Sequence, residues 1–304
     1  MAVLLARMNA EPPTTHGRAE GKEPLGIIGL GLLGSALAER GLAAGVTVLG
    51  FDLEVSRRAQ LDHSGGQSLA SAREVAVACR RILLVLPHDG VTREVVADIA
   101  TSLVRGTVIF DAATGDPETA VALERNLAER GVTYLDTTVS GSSAQARAGE
   151  ALFMVGGPKE SFDASGDLFQ VLARQTIHTG PCGSGAQMKL VTNLVLGLNR
   201  AVLAEGLSFA KSIGVEPRQA LEVLMAGPAF SRVMETKGEK MLTRDFTPQA
   251  RLTQHHKDVK LILKEAARAN IELPLSKLHE VLLARLVAAG DGDLDNSAII
   301  KAFE

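Results

Sequence analysis

Three glycines at the spacing G-x-G-x-x-G lie near the start of the chain. They follow a short apolar run, and a helical pattern begins directly after them at Ser35–Ala44. In a strand–turn–helix unit the first glycine permits the tight turn, the second lets backbone approach a pyrophosphate, and the third lets helix pack on strand. Backbone N–H groups and the positive end of the helix then face the phosphates. The residues of the predicted dinucleotide loop are Gly29, Leu30, Gly31, Leu32, Leu33 and Gly34.

An acidic residue follows these glycines at the distance expected for a ribose contact. Val46–Phe51 is predicted to form a second buried strand, and Asp52 ends it. A carboxylate at this place accepts a hydrogen bond from the ribose 2′-hydroxyl of NAD and repels the 2′-phosphate of NADP. We therefore predict NAD as the cofactor, while Arg57 and Arg58 leave NADP open. The alternative is a structural strand–helix–strand unit with an ordinary surface aspartate.

A lysine and an asparagine four residues apart are candidates for moving a proton. Lys189 and Asn193 share one face of a predicted helix, and most of their neighbours are apolar. Desolvation would lower the pKa of such a lysine and make it a usable acid or base near neutral pH. The alternative is a surface lysine whose stem covers apolar surface while its ammonium stays in water. Spacing alone favours this second interpretation.

Small polar segments follow several of the predicted strands, where ligands bind in a parallel sheet. They are Pro87–Asp89, Thr114–Pro117 and Thr137–Ser143. The last segment contains Ser140, Gly141 and Ser142, whose small side chains let an anion approach free backbone N–H groups. This segment suits a substrate carboxylate or hydroxyl, and a solvated loop is the alternative.

The segment His255–Asp258 and the two cysteines give no metal site. His255 and His256 are adjacent, so they point in different directions on a helix, and no acidic or cysteine cluster supplements them. We expect the segment to be a solvated helix start. Cys79 and Cys182 have neither metal-ligand spacing nor a disulfide framework.

The elements that must position these residues change type part-way along the chain. From residue 24 to about 180, short apolar runs alternate with helical patterns, whereas long helical patterns alone follow Gly185. Strands alternating with helices imply a mainly parallel sheet with helices on both faces. We predict an α/β fold: a doubly wound Rossmann domain over 24–185 and an all-α domain over 186–304, with the ligand between them. The predicted strands are Leu25–Gly29, Val46–Phe51, Ile82–Leu86, Thr107–Asp111, Thr133–Asp136, Ala151–Val155 and Gln175–His178.

Composition excludes several classes of function. The 304 residues are 46% hydrophobic and 22% charged with a net charge of −3, which fits a globular protein without an electrostatic footprint for nucleic acid. No apolar run approaches the roughly 18 residues that span a bilayer. Two cysteines without a disulfide pattern favour the cytoplasm. Residues 1–23 are predicted to be a loose leader, with too short an apolar stretch for a signal peptide.

Motifs occurring in order from about Leu25 to Phe303 resemble the β-hydroxyacid dehydrogenase family, which includes 3-hydroxyisobutyrate dehydrogenase and tartronate semialdehyde reductase. The glycine segment matches the family opening, with Leu33 where Met is usual. Asp111–Pro117 resembles D-x-S-T-x-x-P and keeps Thr114. Gly183–Asn193 resembles G-x-G-x-x-x-K-x-x-N-N, with Thr192 at the first Asn. The late K-D and D-x-S-A motifs match Lys257–Asp258 and Asp295–Ala298.

One motif departs further from the family. Asp136–Ser142 resembles the substrate motif D-A-P-V-S-G-G, but Thr137, Thr138 and Ser142 replace three of its residues. These departures are expected to add hydroxyl groups beside the substrate. They therefore leave the usual substrate of the family in doubt for this chain.

The resemblance implies hydride transfer between NAD and the carbinol carbon of a small 3-hydroxy acid. Lys189 would exchange the proton, Asn193 would orient the substrate or the lysine, and Ser140, Gly141 and Ser142 would hold the carboxylate. Further contacts with the cofactor would come from Leu86, Pro87, Thr114 and Lys257. It also implies a homodimer or homotetramer formed through the helical domain and a reaction that needs no metal.

Two other functions remain alternatives. Imine reductases share the two-domain plan and use NADPH, but they usually lack a lysine at the place of Lys189. A non-catalytic dinucleotide-binding module would be expected to lose this lysine or to carry a basic nucleic-acid domain. The sequence leaves open which hydroxy acid or semialdehyde is used and in which direction the reaction runs.

Overall fold

The computed structural model describes residues 23–304. The predicted leader, 1–23, lies outside the described residues except for Glu23.

The first half of the chain forms one eight-stranded sheet in the order β3-β2-β1-β4-β5-β6-β7-β8. All neighbouring strands are parallel except β6 and β7, which are antiparallel. The predicted α/β fold with a mainly parallel Rossmann sheet is thereby confirmed. The strands are β1 Leu25–Ile28, β2 Val48–Phe51, β3 Gln67–Ser68, β4 Arg81–Leu84, β5 Val108–Asp111, β6 Thr133–Ser140, β7 Leu152–Gly156 and β8 Gln175–Gly180.

Helices cover both faces of this sheet and then form a second layer of their own. Two clusters of buried hydrophobic side chains lie within the sheet-containing part, and a third lies among the later helices. Strands covered on both faces are buried throughout, which explains why β1, β4 and β5 are nearly continuous apolar runs. The helices beside the sheet are α1 Leu32–Ala43, α2 Val55–His63, α3 Ala72–Ala78, α4 Asp89–Ile99, α5 Pro117–Ala128, α6 Ser143–Arg147, α7 Lys159–Ala164 and α8 Gly166–Leu172.

From Ser184 onward the described chain is helical. A π-helical turn, Met234–Gly238, precedes α11, and two 3₁₀ segments, Asp291–Asp293 and Asn296–Phe303, close the chain. The helical pattern predicts a helix over Ser231–Met241, and the structure has helical residues without a break over 232–243, with the π-helical turn in the middle. The α-helices of this part are α9 Ser184–Ser212, α10 Pro217–Ala226, α11 Glu239–Thr243, α12 Leu252–Arg268 and α13 Pro274–Ala288.

Strand β6 is longer than predicted, and this corrects the expectation for Thr137 and Thr138. Both threonines lie inside the strand and are fully buried. The Thr137 hydroxyl donates to Leu135 O at 3.2 Å, and the Thr138 hydroxyl donates to Gly185 O at 2.9 Å. Their hydroxyls therefore bond to the protein's own backbone instead of facing a substrate.

The helical pattern predicts a helix over Lys257–Ala269, but α12 begins five residues earlier, at Leu252. His255 and His256 consequently lie in its first turns and pack inward with Asp258, all three being buried. The expectation of a solvated helix start is wrong for these residues, because Leu252 and Val259 extend the buried face of the helix on both sides of them.

Strand β6 also fixes the start of α9. The Asp136 carboxylate accepts hydrogen bonds from Gly183 N at 3.0 Å and Ala186 N at 2.7 Å. Negative charge is favoured at a helix N-terminus, where backbone N–H groups lack intrahelical partners. A side chain at position 185 would not fit, since its Cβ would lie 2.4 Å from Asp136 O. The two elements therefore approach each other at backbone distance.

By length and composition, α9 is the one helix within residues 23–304 that is long and apolar enough to cross a membrane. Its 29 residues include Lys189, Arg200, Glu205 and Lys211, so it meets the criterion by average hydropathy and contains no uninterrupted apolar run of about 18 residues. However, 44% of its most apolar 18-residue stretch is buried inside the protein. The core helices of soluble proteins also reach this length and hydropathy.

Candidate active site

The glycine loop joins β1 to α1, and its three glycines meet three different constraints. Gly29 has a φ of +98°, and a Cβ there would lie 2.2 Å from Val85 O. A Cβ on Gly34 would lie 1.9 Å from Gly29 O. Gly31, in contrast, faces open space, with the Arg57 guanidinium 3.8 Å away as its nearest neighbour. Packing thus requires the first and third glycines, and the second leaves an open approach to the backbone.

The start of α1 fits a pyrophosphate. Gly31 occupies the N-cap position, and no side chain caps the helix. The N–H groups of the first turn, at Leu32, Leu33 and Gly34, have no intrahelical partner. Uncapped donors beside an open glycine form an anion cradle, which is what a dinucleotide needs here.

Asp52 lies beside this cradle at the end of β2, and hydrogen bonds fix its carboxylate. One oxygen accepts from Leu30 N at 2.7 Å and from the Arg57 guanidinium at 3.3 Å, and the other accepts from Glu54 N at 2.9 Å. The residue is buried, whereas the Arg57 side chain is about half exposed. A carboxylate and a guanidinium therefore lie together at this edge of the sheet, beside the glycine loop.

The remaining predicted cofactor residues lie at the same edge of the sheet. Leu86 and Pro87 follow β4, which neighbours β1, and the Leu86 side chain packs against Gly29. Thr114 follows β5, and its carbonyl accepts a hydrogen bond from Lys257 Nζ on α12 at 2.9 Å. The helical part of the chain thus reaches the sheet edge through Lys257.

Lys189 turns towards the sheet. Its Nζ donates to Val139 O in β6 at 2.6 Å, and the side chain is partly buried. Burial lowers the pKa of Lys189, and the positive charge of Arg200 lowers it further, whereas the negative charge of Asp258 opposes them. The geometry contradicts the interpretation of Lys189 as a surface lysine with its ammonium in water.

Asn193 and Asp258 form the next part of the site. Asn193 is buried one turn after Lys189, and its Nδ2 donates to Asp258 Oδ2 at 3.0 Å. The other carboxylate oxygen lies 3.5 Å from Lys257 Nζ. Burial raises the pKa of Asp258, and the charges of Lys257 and Lys189 oppose that shift. The motif K-D pointed to Lys257, but sequence reasoning gave no role to its aspartate.

The loop after β6 is held by a capping box. Ser142 is the N-cap of α6: its N–H donates to Gln145 Oε1 at 2.8 Å, and its Oγ accepts from Gln145 N at 3.2 Å. Gly141 has a φ of +144°, which favours glycine. Both groups with which Ser142 is expected to hold a carboxylate therefore already bond to Gln145. The Ser140 hydroxyl makes no hydrogen bond to residues 23–304.

Among the described residues, no group of three or more His, Cys, Asp or Glu side chains has a metal-binding arrangement. Cys79 and Cys182 are buried and free. The polar residues between α9 and α12 are lysine, asparagine, aspartate, histidine and arginine side chains. They suit the transfer of protons and the binding of anions.

Two family models match the chain in succession. The NAD binding domain of 6-phosphogluconate dehydrogenase matches residues 24–180. The model described as "NAD-binding of NADP-dependent 3-hydroxyisobutyrate dehydrogenase" matches residues 183–303. The chain belongs to the β-hydroxyacid dehydrogenase family. As a β-hydroxyacid dehydrogenase, it is an NAD(P)-dependent oxidoreductase that acts on CH–OH groups.

Named relatives of this β-hydroxyacid dehydrogenase share most of its length. It is 32% identical to 2-(hydroxymethyl)glutarate dehydrogenase of Eubacterium barkeri, covering 92% of this chain and 94% of the relative. It is 31% identical to 2-hydroxy-3-oxopropionate reductase of Escherichia coli, covering 92% and 97%. The crystal structure of 3-hydroxyisobutyrate dehydrogenase from Salmonella typhimurium superposes with a TM-score of 0.87 at 26% identity, covering 93% and 100%.

Proposed function

We propose that this protein transfers a hydride between NAD and the carbinol carbon of a small 3-hydroxy acid or its semialdehyde, with Lys189 as the acid and base. The observation that carries the proposal is the inward direction of Lys189, whose Nζ lies 2.6 Å from Val139 O at the end of β6. This is the edge of the sheet where ligands bind in such folds.

Bound NAD would accept the hydride, and the residues at this edge would hold it. The glycine loop would hold the pyrophosphate, and Asp52 would accept from the adenosine ribose. Leu86, Pro87, Thr114 and Lys257 would border the nicotinamide end. NADP would be a second possible cofactor, because the Arg57 guanidinium lies 3.3 Å from the Asp52 carboxylate and could bind a 2′-phosphate there.

The proton would move through Lys189. In the oxidation direction the neutral amine accepts the hydroxyl proton, and in the reduction direction the ammonium donates it to the new alkoxide. A lowered pKa makes the neutral amine more abundant near neutral pH. Asn193 would orient the substrate or the lysine, while its Nδ2 is held by Asp258.

The substrate carboxylate would lie at Ser140, Gly141 and Ser142. The capping box implies that a carboxylate takes the place of the Gln145 carboxamide or binds at Ser140 and Gly141 only. The names of the relatives, a hydroxymethyl glutarate dehydrogenase and a hydroxy oxopropionate reductase, support a small β-hydroxy carboxylate or aldehyde as the substrate class.

We also propose a homodimer or homotetramer in the cytoplasm, with residues 24–185 binding the cofactor and residues 186–304 completing the site. An exposed apolar stripe on α9, on the face opposite Lys189, supports association of two copies. Its members are Val191, Val195, Val202 and Phe209. Two free buried cysteines support a reducing compartment.

The proposal is tested by replacing Lys189 with methionine. The assay follows NADH at 340 nm with a panel of 3-hydroxy acids and semialdehydes. We expect kcat to fall by about 10²–10⁴-fold, the usual contribution of a positioned acid or base. In the unaltered enzyme, kcat/KM for oxidation should rise with pH through the lowered pKa of Lys189, and that for reduction should fall.

Lys211→Met is the matched control, since Lys211 is exposed near the other end of α9. A loss below about tenfold for Lys189→Met, with folding and NADH binding intact, would refute the acid–base role. No turnover across the panel together with tight NADH binding would instead indicate a binding module. Turnover of cyclic imines alone would indicate an imine reductase.

A further inference from the structure

A buried arginine continues the helix face that carries Lys189 and Asn193. Arg200 follows Lys189 by eleven residues, which is three turns and about 16 Å along α9, on nearly the same side of the helix. It is only 5% exposed. Its guanidinium, with five N–H donors, makes no hydrogen bond to any residue between 23 and 304. None of its nitrogens is among the fully buried unpaired atoms of the described residues, so the guanidinium borders accessible space in which a ligand can accept its hydrogen bonds.

Two polar side-chain atoms near Arg200 make no hydrogen bond to the described residues. Gly197, one turn earlier, leaves room for the His255 ring, because a Cβ on Gly197 would lie 2.4 Å from His255 Nε2. The His279 ring packs beside it, with a centroid distance of 5.1 Å. His255 Nε2 and Asp258 Oδ1 are both buried without a hydrogen-bond partner in the described part of the chain. Arg200 and His255 thus carry polar groups without a hydrogen-bond partner on the Lys189 side of α9, while Asp258 Oδ1 lies 3.5 Å from Lys257 Nζ.

The nearest carboxylates do not satisfy Arg200. Asp295 binds Lys237 Nζ at 2.8 and 3.0 Å and also accepts from three backbone N–H groups. Asp258 is already engaged by Asn193. If all are ionised, Lys189, Arg200 and Lys237 outnumber the two aspartates by one positive charge. Burial lowers the pKa of Arg200 to about 10, as expected for a cation that its surroundings do not fully compensate.

The histidines add no charge that would change this balance. Burial lowers the pKa of His255 well below its usual range, and it lowers that of His279 to about 4. Both rings are therefore neutral near neutral pH. The space between α9 and α12 holds an excess of positive charge with free donors, and its complement is an anion.

We propose that Arg200 binds a second carboxylate of the substrate, so that the enzyme prefers hydroxy dicarboxylates over hydroxy monocarboxylates. The proposal rests on the proposed hydride transfer at Lys189 and adds a class of substrate to it. The first carboxylate lies at the loop after β6 and the carbinol at Lys189. A guanidinium binds a carboxylate through two parallel hydrogen bonds, which no other side chain here offers.

The length of the substrate follows from the geometry of the helix. Helical side chains lean towards the N-terminus, so the long side chain of Arg200 reaches back along α9 towards Asn193. Lys189 leans in the same direction, so a longer tail closes more of the distance between the carbinol and the Arg200 guanidinium. A five-carbon diacid should therefore be used better than a four-carbon one.

The test compares 2-(hydroxymethyl)glutarate with 2-(hydroxymethyl)pentanoate, in which a methyl group replaces the distal carboxylate. We expect a higher kcat/KM for the diacid in the unaltered enzyme. Arg200→Met should lower the diacid-to-monoacid ratio by about 10- to 150-fold, the equivalent of one to two charge-assisted hydrogen bonds. Arg200→Lys, which keeps the charge but loses the fork, should give an intermediate ratio. 2-(Hydroxymethyl)succinate tests the shorter tail.

Binding without turnover separates this inference from the proposed reaction. Glutarate, with NADH present, should raise the melting temperature of the unaltered enzyme more than butyrate does, and Arg200→Met should abolish the difference. Arg218→Met on α10 is the control, because Arg218 pairs with Glu239 at the surface. Glutarate binding through Arg200 without any turnover would refute the reaction but support the carboxylate site.

Several results would overturn the inference. One is a diacid-to-monoacid ratio that stays the same in Arg200→Met as in the unaltered enzyme. Another is an unaltered enzyme that uses the monoacid as well as the diacid and gains no stability from glutarate. This second comparison decides the question even if both Arg200 variants fail to fold.

Discussion

Replacing Asp52 with asparagine tests the cofactor site without knowledge of the substrate. Asp52 binds Leu30 N through one oxygen and Glu54 N through the other, and it is buried. An asparagine has one carbonyl oxygen, so it can accept only one of these N–H groups in the same geometry. The exchange therefore removes a negative charge from the ribose position and leaves one backbone donor facing an amide NH₂.

The magnitude follows from Coulomb's law. A carboxylate about 5 Å from a 2′-phosphate, with an effective dielectric constant of about 20, is repelled by about 3 kcal/mol per unit charge. Its removal is expected to strengthen NADPH binding, and the lost hydrogen bond to the 2′-hydroxyl is expected to weaken NADH binding about tenfold. We predict that the ratio of NADPH to NADH affinity rises by about 10³-fold, the product of the two effects.

Fluorescence titration of bound NADH and NADPH measures both affinities directly. Glu54→Gln is the control, because it removes the same charge two residues away from an exposed position and should change the ratio by less than about threefold. Arg57→Met should weaken NADPH more than NADH. An unaltered enzyme that prefers NADPH, or a ratio in Asp52→Asn that rises less than threefold, would refute the assignment of Asp52 to the NAD ribose.

Two further predictions concern the contacts between α12 and α5 and those between copies of the chain. Asp116 caps α5 and binds Lys264 and Arg268 at 2.7 Å; despite its burial, these bonds lower its pKa to about 2. These ion pairs stabilise the folded protein above about pH 4, and the stabilisation is lost as the pH falls towards 2. The lowered pKa corresponds to at most about 2.5 kcal/mol of unfolding free energy. Because Lys264 is more than half exposed and solvent screens its charge, we expect about 1 kcal/mol. Asp116→Asn should therefore lower the melting temperature by about 2–4 °C at pH 7, and by less in 1 M NaCl. Asp163→Asn, at an exposed position, is the control. Equal melting temperatures for the two variants would contradict the pairing of Asp116 with Lys264 and Arg268. Val202→Glu, on the apolar stripe of α9, should convert the proposed oligomer to a monomer, as measured by light scattering. Each valine buried between two copies contributes about 1.5–3 kcal/mol, and the variant loses this contribution in both copies. An unchanged molecular mass would exclude this stripe as the contact between copies.

The parallel sheet and the glycine loop could be predicted because their signals are local. Strands covered on both faces must be apolar throughout, and the G-x-G-x-x-G spacing reflects contacts within one short segment. Strand β3 carries no such signal, since Gln67 and Ser68 are polar and pair only along one edge of β2. The end of β6 was missed for a related reason. Thr137 and Thr138 are polar in sequence, but backbone oxygens accept their hydrogen bonds, that of Leu135 two residues away and that of the distant Gly185.

The polar residues between α9 and α12 were harder to predict, because their partners are distant in sequence. Asn193 meets Asp258 across 65 residues, and Lys257 meets Thr114 across 143. Arg200 had a signal that sequence reasoning did not use. A charged residue three turns after Lys189, on the same face of an otherwise apolar helix, must be buried wherever that face is buried. Such a residue then requires a partner of opposite charge.

Strand β6 explains how this site keeps its geometry while its substrate can change. Asp136 anchors the start of α9, Val139 accepts from Lys189, and Ser140 ends the strand, so this one strand sets the distance between Lys189 and the loop that is proposed to hold the first carboxylate. Replacing any of these three would disturb the chemistry for every substrate. Gln145 and Arg200 lie outside the strand, one in the loop helix and one three turns along α9. Differences in substrate choice are therefore expected to arise at these two positions, where a side chain can change without moving Lys189.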